Sequence, residues 1–171
     1  MGKWAGESMR IREPDVIAPG GVCAECGLRT APDQPTCPEM RDAILARDFE
    51  QPVAYWRFHR LAIDAYCLQH GPYVKSAKSF AAHLCGMCVA FEHGNDAETL
   101  AVINRWLSSN PSIQKPDLPA FRGALTIAHV YGIEESIQYG RAVGEWAKSV
   151  WQAYADFQSL ARAWIDVASR F

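Results

Sequence analysis

The chain has 171 residues, of which 49% are hydrophobic and 21% are charged, and its formal net charge is −2 at pH 7. This length and composition are those of a globular protein that buries a sizeable core without crosslinks. The sequence contains neither a basic cluster nor an apolar run long enough to span a bilayer, so we expect neither a nucleic-acid partner nor a membrane partner.

The first segment, residues 1–22, is predicted to be an irregular N-terminal arm, because it contains glycines and prolines and shows no hydrophobic periodicity. It also lacks the apolar stretch of a secretory signal, so we expect a cytoplasmic protein. In that compartment the six cysteines of the chain are expected to be thiols or metal ligands rather than disulfides. Residues 23–171 are predicted to form a single domain.

Three cysteines open this domain, in a knuckle segment at residues 23–37. Cys23 and Cys26 are separated by two residues and are followed by Gly27, a pattern that places two sulfurs on one face of a tight turn. With Cys37, they supply three of the four ligands of a tetrahedral zinc site. The segment has few core-forming residues, so we predict that structural zinc orders it. The alternative is a redox-active group of thiols.

The remaining elements are predicted to be helices bounded by prolines, glycines and capping residues. They span residues 38–49, 53–70, 77–93 and 97–107, and the third and fourth are capped by Ser76 and Asp96. A proline-rich stretch at 108–124 is expected to be a long surface loop. From Ser136 the chain is again helical, and an apolar stripe with spacings of three and four runs without a break from Val143 to Ala168. We therefore predict an all-α fold, a helical bundle preceded by the irregular knuckle segment.

The fourth zinc ligand must come from another part of the chain, and the candidates are His59, His70, His83, His93 and Asp64. Since His59 and His70 lie about 16 Å apart along one helix, they cannot share a metal ion. If the first two helices are antiparallel, Cys37 lies level with the end of the second helix. We therefore predict His70 as the fourth ligand, with His59 and His83 as the alternatives.

A second polar group lies on two helices joined by a short turn and consists of His59, Asp64, Tyr66, Gln69, His70 and His83. Antiparallel pairing of these helices brings His83 within hydrogen-bonding reach of Asp64 or Tyr66. The group is either a satisfied buried network or an acid–base or second metal pocket in the bundle. The other cysteine pair, Cys85 and Cys88, lies inside an apolar helix and is expected to pack in the core.

A resemblance to a known family rests on four stretches of the sequence. They are Cys23-x-x-Cys26-Gly27 with Cys37, the helix His59-Arg60-Leu61-Ala62-Ile63-Asp64-Ala65-Tyr66-Cys67-Leu68-Gln69-His70, then His83-Leu84, and Trp146-Ala147-x-x-Val150-Trp151-x-Ala153-Tyr154. Over roughly residues 22–165 the sequence resembles an uncharacterised bacterial family, domain of unknown function 5946. The resemblance implies a small helical protein with a cysteine knuckle and supplies no activity. In the family pattern one or two histidines follow the last stretch, where this chain has Phe157 and Gln158. If those histidines complete an active metal site, this chain lacks that activity.

Three functions remain open from the sequence. The first is a zinc-stabilised helical domain that binds a protein or a small-molecule partner. The second is a metal-dependent hydrolase or transferase whose catalytic residues are His59, Asp64 and His83. The third is a thiol redox sensor, in which the three knuckle cysteines release zinc on oxidation. No glycine-rich phosphate loop or nucleophile elbow is present to favour a particular reaction.

Overall fold

A computed structural model of the chain describes residues 20–171, and this part is all-α, as predicted. Its helices are α1 (Cys37–Glu50), α2 (Pro52–Gln69), α3 (Ala77–Glu92), α4 (Ala97–Ser108), α5 (Ser136–Ala153) and α6 (Gln158–Ala168). Short 3₁₀ turns lie at Gly71–Val74, Ile127–His129 and Ala155–Phe157. Of the arm predicted for residues 1–22, residues 1–19 lie outside the described range. No helix within that range is both long and apolar enough to cross a bilayer.

The segment before α1 is irregular and is closed on itself by an antiparallel bridge between Val22 and Arg29. Gly27 adopts φ +75°, which costs glycine little because it has no Cβ. Its N–H donates to the carbonyl of Cys23 at 2.9 Å, and the N–H of Cys23 donates to the carbonyl of Leu28 at 2.8 Å. These bonds form the tight turn that the cysteine spacing predicts.

The helix starts follow local signals in the sequence. The side chain of Ser76 accepts a hydrogen bond from the N–H of Ser79 at 3.0 Å, and that of Asp96 accepts one from Thr99 at 2.7 Å. Each side chain satisfies an amide that has no partner within its helix. The predicted helices therefore agree with α1 to α4 to within the usual uncertainty of helix ends.

The C-terminal region differs from the uninterrupted helix that the apolar stripe predicts. α5 ends at Ala153, and the 3₁₀ turn Ala155–Phe157 separates it from α6. At the break, Tyr154 is fully buried, and its hydroxyl donates to the carbonyl of Leu68 at 2.6 Å. Tyr154 and Phe157 continue the apolar spacing through the turn, so periodicity alone does not reveal it. The break lets α6 pack against α3 and α4 while α5 packs against α2.

The core of the bundle lies around α2 and α3, against which α5 and α6 pack. Its largest fully buried side chains are Trp146, Tyr66, Tyr139, Tyr154 and Phe80. Burying an apolar side chain of this size stabilises a fold by about 1.5–3 kcal/mol. The helices thus have an extensive core of their own, whereas residues 20–36 depend on the contacts described next.

Candidate metal centre

Four side chains converge beside the N-terminus of α1 and the C-terminus of α2. Cys23 and Cys26 come from the tight turn, Cys37 is the first residue of α1, and His70 directly follows α2. One potential ligand atom from each lies within 4.8 Å of the other three. The short α1–α2 connection places the start of α1 beside the end of α2. The structure thus brings together the four side chains that the sequence analysis predicts as zinc ligands.

Three separations within this cluster are close to those expected around one tetrahedral ion. Nε2 of His70 lies 3.6 Å from Sγ of Cys23 and 3.2 Å from Sγ of Cys37, and the sulfurs of Cys26 and Cys37 are 3.7 Å apart. Tetrahedral Zn²⁺, with bonds of about 2.3 Å to sulfur and about 2.0 Å to nitrogen, separates its ligands by about 3.5–3.8 Å. The donor set, three thiols and one imidazole, also fits Zn²⁺.

The electrostatics of the cluster favour a cation. Hydrogen bonds with Cys26 and Cys37 lower the pKa of Cys23, whereas hydrogen bonds with Cys23 and Cys26, together with burial, raise the pKa of Cys37. The neighbouring thiols therefore favour ionisation of Cys23 and oppose that of Cys37, whereas a divalent cation would stabilise all three sulfurs as thiolates. Burial lowers the pKa of His70, but hydrogen bonds to Cys23 and Cys26 outweigh it and raise the pKa to about 9.

Contacts on the side of the ring that faces away from the sulfurs fix the orientation of His70. Its Nδ1 donates to the carbonyl of Tyr66 at 2.7 Å, which directs Nε2 toward the sulfurs. The imidazole also stacks on the Tyr66 ring, with centroids 3.9 Å apart. A second contact of this kind selects the tautomer and holds the ring of metal-binding histidines. Because His70, Cys23 and Cys37 are also buried, the cluster has the features of a closed site.

Glu25, which lies between the first two cysteines, ties the turn to the rest of the protein. Its Oε2 accepts hydrogen bonds from the backbone N–H of Gly71 at 2.9 Å and from Arg122 at 2.6 Å. Arg122 also donates to the carbonyl of Gln69 at 3.1 Å. Arg122 belongs to the proline-rich segment, which contains no helix from 110 to 126. The knuckle, the end of α2 and this segment therefore form one hydrogen-bonded unit.

Gln69, next to His70, completes this unit from inside the core. It is fully buried, and its Nε2 donates to the carbonyls of Arg122 at 3.1 Å and Leu125 at 2.8 Å. Its Oε1 accepts a hydrogen bond from Nε1 of Trp146 at 2.9 Å. Gln69 belongs to the polar group that the sequence predicts to be either a satisfied buried network or a functional pocket, and its three hydrogen bonds agree with the first of these. Its partners Trp146, Arg122 and Leu125 were not predicted. No signal in the sequence marked the pairing of Glu25 with Arg122.

The other candidate residues form two separate pairs. Nδ1 of His83 lies 2.8 Å from Asp64, as the predicted antiparallel helices require, and Nδ1 of His59 lies 3.0 Å from the buried Asp48. Among residues 20–171, the Cys23 cluster is the only set of three or more potential ligands close enough to share an ion. The structure therefore does not gather His59, Asp64 and His83 into one metal pocket.

The second cysteine pair lies in the interior of α3. Cys85 and Cys88 are fully buried, in agreement with the core packing expected from the sequence. Burial raises the pKa of each thiol to about 12. Both residues therefore remain protonated at neutral pH and serve as apolar packing groups.

Comparison with known families agrees with the resemblance seen in the sequence. Residues 21–155 match the model of a family of unknown function, DUF5946. This range includes the four clustered side chains and ends just after α5, at the turn before α6. No curated protein and no solved structure matches the chain. The family description names no activity, so function has to be argued from the site.

Proposed function

The chain belongs to the DUF5946 family of unknown function, and we propose that it is a zinc-stabilised helical domain that binds a protein or a small-molecule partner. The observation that carries the proposal is the closed cluster of Cys23, Cys26, Cys37 and His70. Structural zinc sites use four protein ligands, whereas catalytic zinc sites keep one position for water or substrate. A cluster that supplies all four ligands supports a structural role for the ion.

In this proposal zinc also sets the position of a surface segment. The ion holds the turn that carries Glu25, and Glu25 accepts a hydrogen bond from the side chain of Arg122. The backbone of the same segment is bonded by Gln69, at the carbonyls of Arg122 and Leu125. Phe121, beside this arginine, is 63% exposed. A large apolar side chain presented by an anchored backbone suits recognition, because little order must be gained on binding. We therefore assign the partner surface to segment 110–126.

Metal content per chain tests the first part of the proposal. Protein purified without a metal-affinity tag should contain about one zinc, as expected for a closed site. Cys37→Ser and His70→Ala should lose the zinc, while the matched control His59→Ala should keep it. Absence of zinc from the wild-type protein would refute the proposal. A second metal lost only from His59→Ala would instead favour a metal-dependent enzyme.

Thermal stability tests whether the zinc ligands and the core thiols have different roles. Cys26→Ser should unfold the knuckle segment and lower the melting temperature, because it removes a metal ligand. Cys85→Ala removes only a small buried group and should cost on the order of 1 kcal/mol. Equal losses from the two substitutions would contradict this division.

Hydrogen exchange tests the link between zinc and the proposed partner surface. Amides of residues 110–126 should exchange faster after chelation of zinc, and also in Glu25→Gln with zinc bound. The control Glu98→Gln alters an exposed glutamate on α4 and should leave them unchanged. Unaltered exchange in both tests would exclude the coupling. Zinc release by mild peroxide, with a reversible structural change, would favour the redox sensor instead.

A further inference from the structure

Arg41 lies beside the proposed zinc site without being one of its ligands. It follows Cys37 by four residues on α1, so the two side chains share one face of the helix. The guanidinium carbon of Arg41 lies 5.5 Å from the ring centroid of Tyr66 and 5.1 Å from that of Tyr73. Nη1 of Arg41 also donates a hydrogen bond to the hydroxyl of Tyr73. Arg41 therefore links the start of α1 to two residues that flank His70 in the chain.

The same two tyrosines surround the imidazole of His70. The Tyr66 ring is nearly parallel to the imidazole, at an interplanar angle of 19°. The Tyr73 ring meets both others edge to face, at 68° to Tyr66 and at 86° to His70. Parallel and edge-to-face contacts at these distances are favoured arrangements of aromatic rings. Rotation of the imidazole away from the sulfurs would break these ring contacts.

The guanidinium of Arg41 is itself held in place. Its Nε and Nη2 donate to Oδ1 of Asp42 at 2.9 Å and 2.5 Å. Only 20% of the Arg41 side chain is exposed, and a cation is attracted to a ring face more strongly when it is desolvated. A lysine would not replace it, because a compact ammonium group cannot stack on two rings as a planar guanidinium does.

Arg41 joins the two helices at the place where a bound ion would also join them. Sγ of Cys37, on α1, and Nε2 of His70, after α2, are 3.2 Å apart. The contacts of Arg41 lie one turn further along α1 and need no metal. Ligands that are oriented before an ion arrives lose less freedom when it binds. Side chains that hold a ligand in this way commonly change metal affinity by about 10- to 100-fold.

We propose that Arg41 is a positioning residue for zinc, which holds His70 toward Cys37 through its contacts with Tyr66 and Tyr73. The site consequently binds zinc more tightly and releases it more slowly than the four ligands alone would. This inference rests on the proposed function, because it requires that the cluster bind zinc. It adds that a side chain outside the ligand set decides how long the ion stays bound.

Competition with a chromophoric zinc chelator tests the proposal, because it gives both the affinity and the release rate. Arg41→Gln should bind one zinc at least about tenfold more weakly than wild type and release it faster. The matched control is Arg57→Gln, since Arg57 lies over the Phe58 ring at 4.6 Å and is about 20 Å along α2 from His70. It removes the same charge and the same kind of contact, and should keep the wild-type affinity.

Two outcomes separate this proposal from the proposed function. A wild-type protein that binds one zinc with the same affinity as Arg41→Gln would overturn the role of Arg41 alone. A wild-type protein without zinc would refute the proposed function, and this inference with it. The conservative variant Arg41→Lys should bind zinc about as weakly as Arg41→Gln. Full recovery of affinity in Arg41→Lys would show that a positive charge is sufficient, and would overturn the positioning role.

The visible spectrum of Co²⁺ bound in place of zinc distinguishes positioning from a general loss of stability, because it reports the geometry of the ligands. The spectrum of Arg41→Gln should differ from that of wild type, whereas the spectrum of Arg57→Gln should not. Identical spectra for wild type and Arg41→Gln would show that Arg41 does not act through His70.

Discussion

The substitution Gln69→Leu tests the hydrogen-bonded unit that joins the end of α2 to the proline-rich segment. It removes three hydrogen bonds at once and leaves the fully buried Nε1–H of Trp146 without an acceptor. Each lost bond with a stranded partner costs about 1–2 kcal/mol, and burial of the leucine returns about 1 kcal/mol. We expect a net loss of about 3 kcal/mol, a large part of the stability of a typical domain.

Equilibrium unfolding in urea with zinc present throughout measures this loss, and zinc analysis of the variant verifies that the metal is retained. The melting temperature should fall by roughly 6–12 °C for a chain of this length. Gln152→Leu is the matched control, because it makes the same change at an exposed position of α5 and should alter stability by less than about 0.5 kcal/mol. A loss below about 1 kcal/mol for Gln69→Leu would refute the assignment of Gln69 as the residue that holds this unit together.

Two further predictions concern the contact between Asp64 on α2 and His83 on α3. Gly86→Ala should lower the free energy of unfolding by about 2–3 kcal/mol, because the new Cβ overlaps the carboxylate of Asp64. The control is Gly144→Ala, whose new Cβ meets no atom within 4 Å, so this substitution should stabilise α5 by about 0.5–1 kcal/mol. Burial lowers the pKa of His83, but its hydrogen bond to Asp64 outweighs burial and raises the pKa to about 9, above the ordinary 6.5. The protonated imidazole therefore contributes at most about 3 kcal/mol to the free energy of unfolding. This contribution is complete below the ordinary pKa and is lost as pH rises through the higher one. Urea unfolding as a function of pH should therefore show a shallower fall in stability for His83→Gln than for wild type. Identical profiles for the two proteins would exclude the His83–Asp64 pair as the cause.

The fold was predictable where the signals are local. Ser76 and Asp96 cap their helices as expected, since a side-chain acceptor at a helix start acts within three residues. The break between α5 and α6 was not predictable from periodicity, because Tyr154 and Phe157 continue the apolar spacing through the turn. What fixes the turn is a tertiary contact, the hydrogen bond from Tyr154 to the carbonyl of Leu68 on another helix.

The same distinction applies to the sites. The convergence of Cys23, Cys37 and His70 could be predicted, because short turns and antiparallel helices follow from spacing and from breaker residues. The pairing of Glu25 with Arg122 joins residues 97 positions apart through an irregular segment, and no pattern in the sequence encodes it. Contacts of this kind depend on how loops pack against a finished bundle, so only the structure reveals them.

One helix, α2, connects these features, and the geometry of an α-helix explains how. Neighbouring residues at the end of an α-helix project about 100° apart, so the side chains of Gln69 and His70 contact different parts of the protein although they are adjacent in sequence. Gln69 holds Trp146 and the proline-rich segment, while His70 joins the cysteine cluster. Asp64, nearly two turns earlier, holds His83 on α3. The polar residues of α2 therefore need not form one active site. Each supports a separate contact, which is why loss of zinc should disturb the knuckle and segment 110–126 while the contact of Asp64 with His83 stays intact.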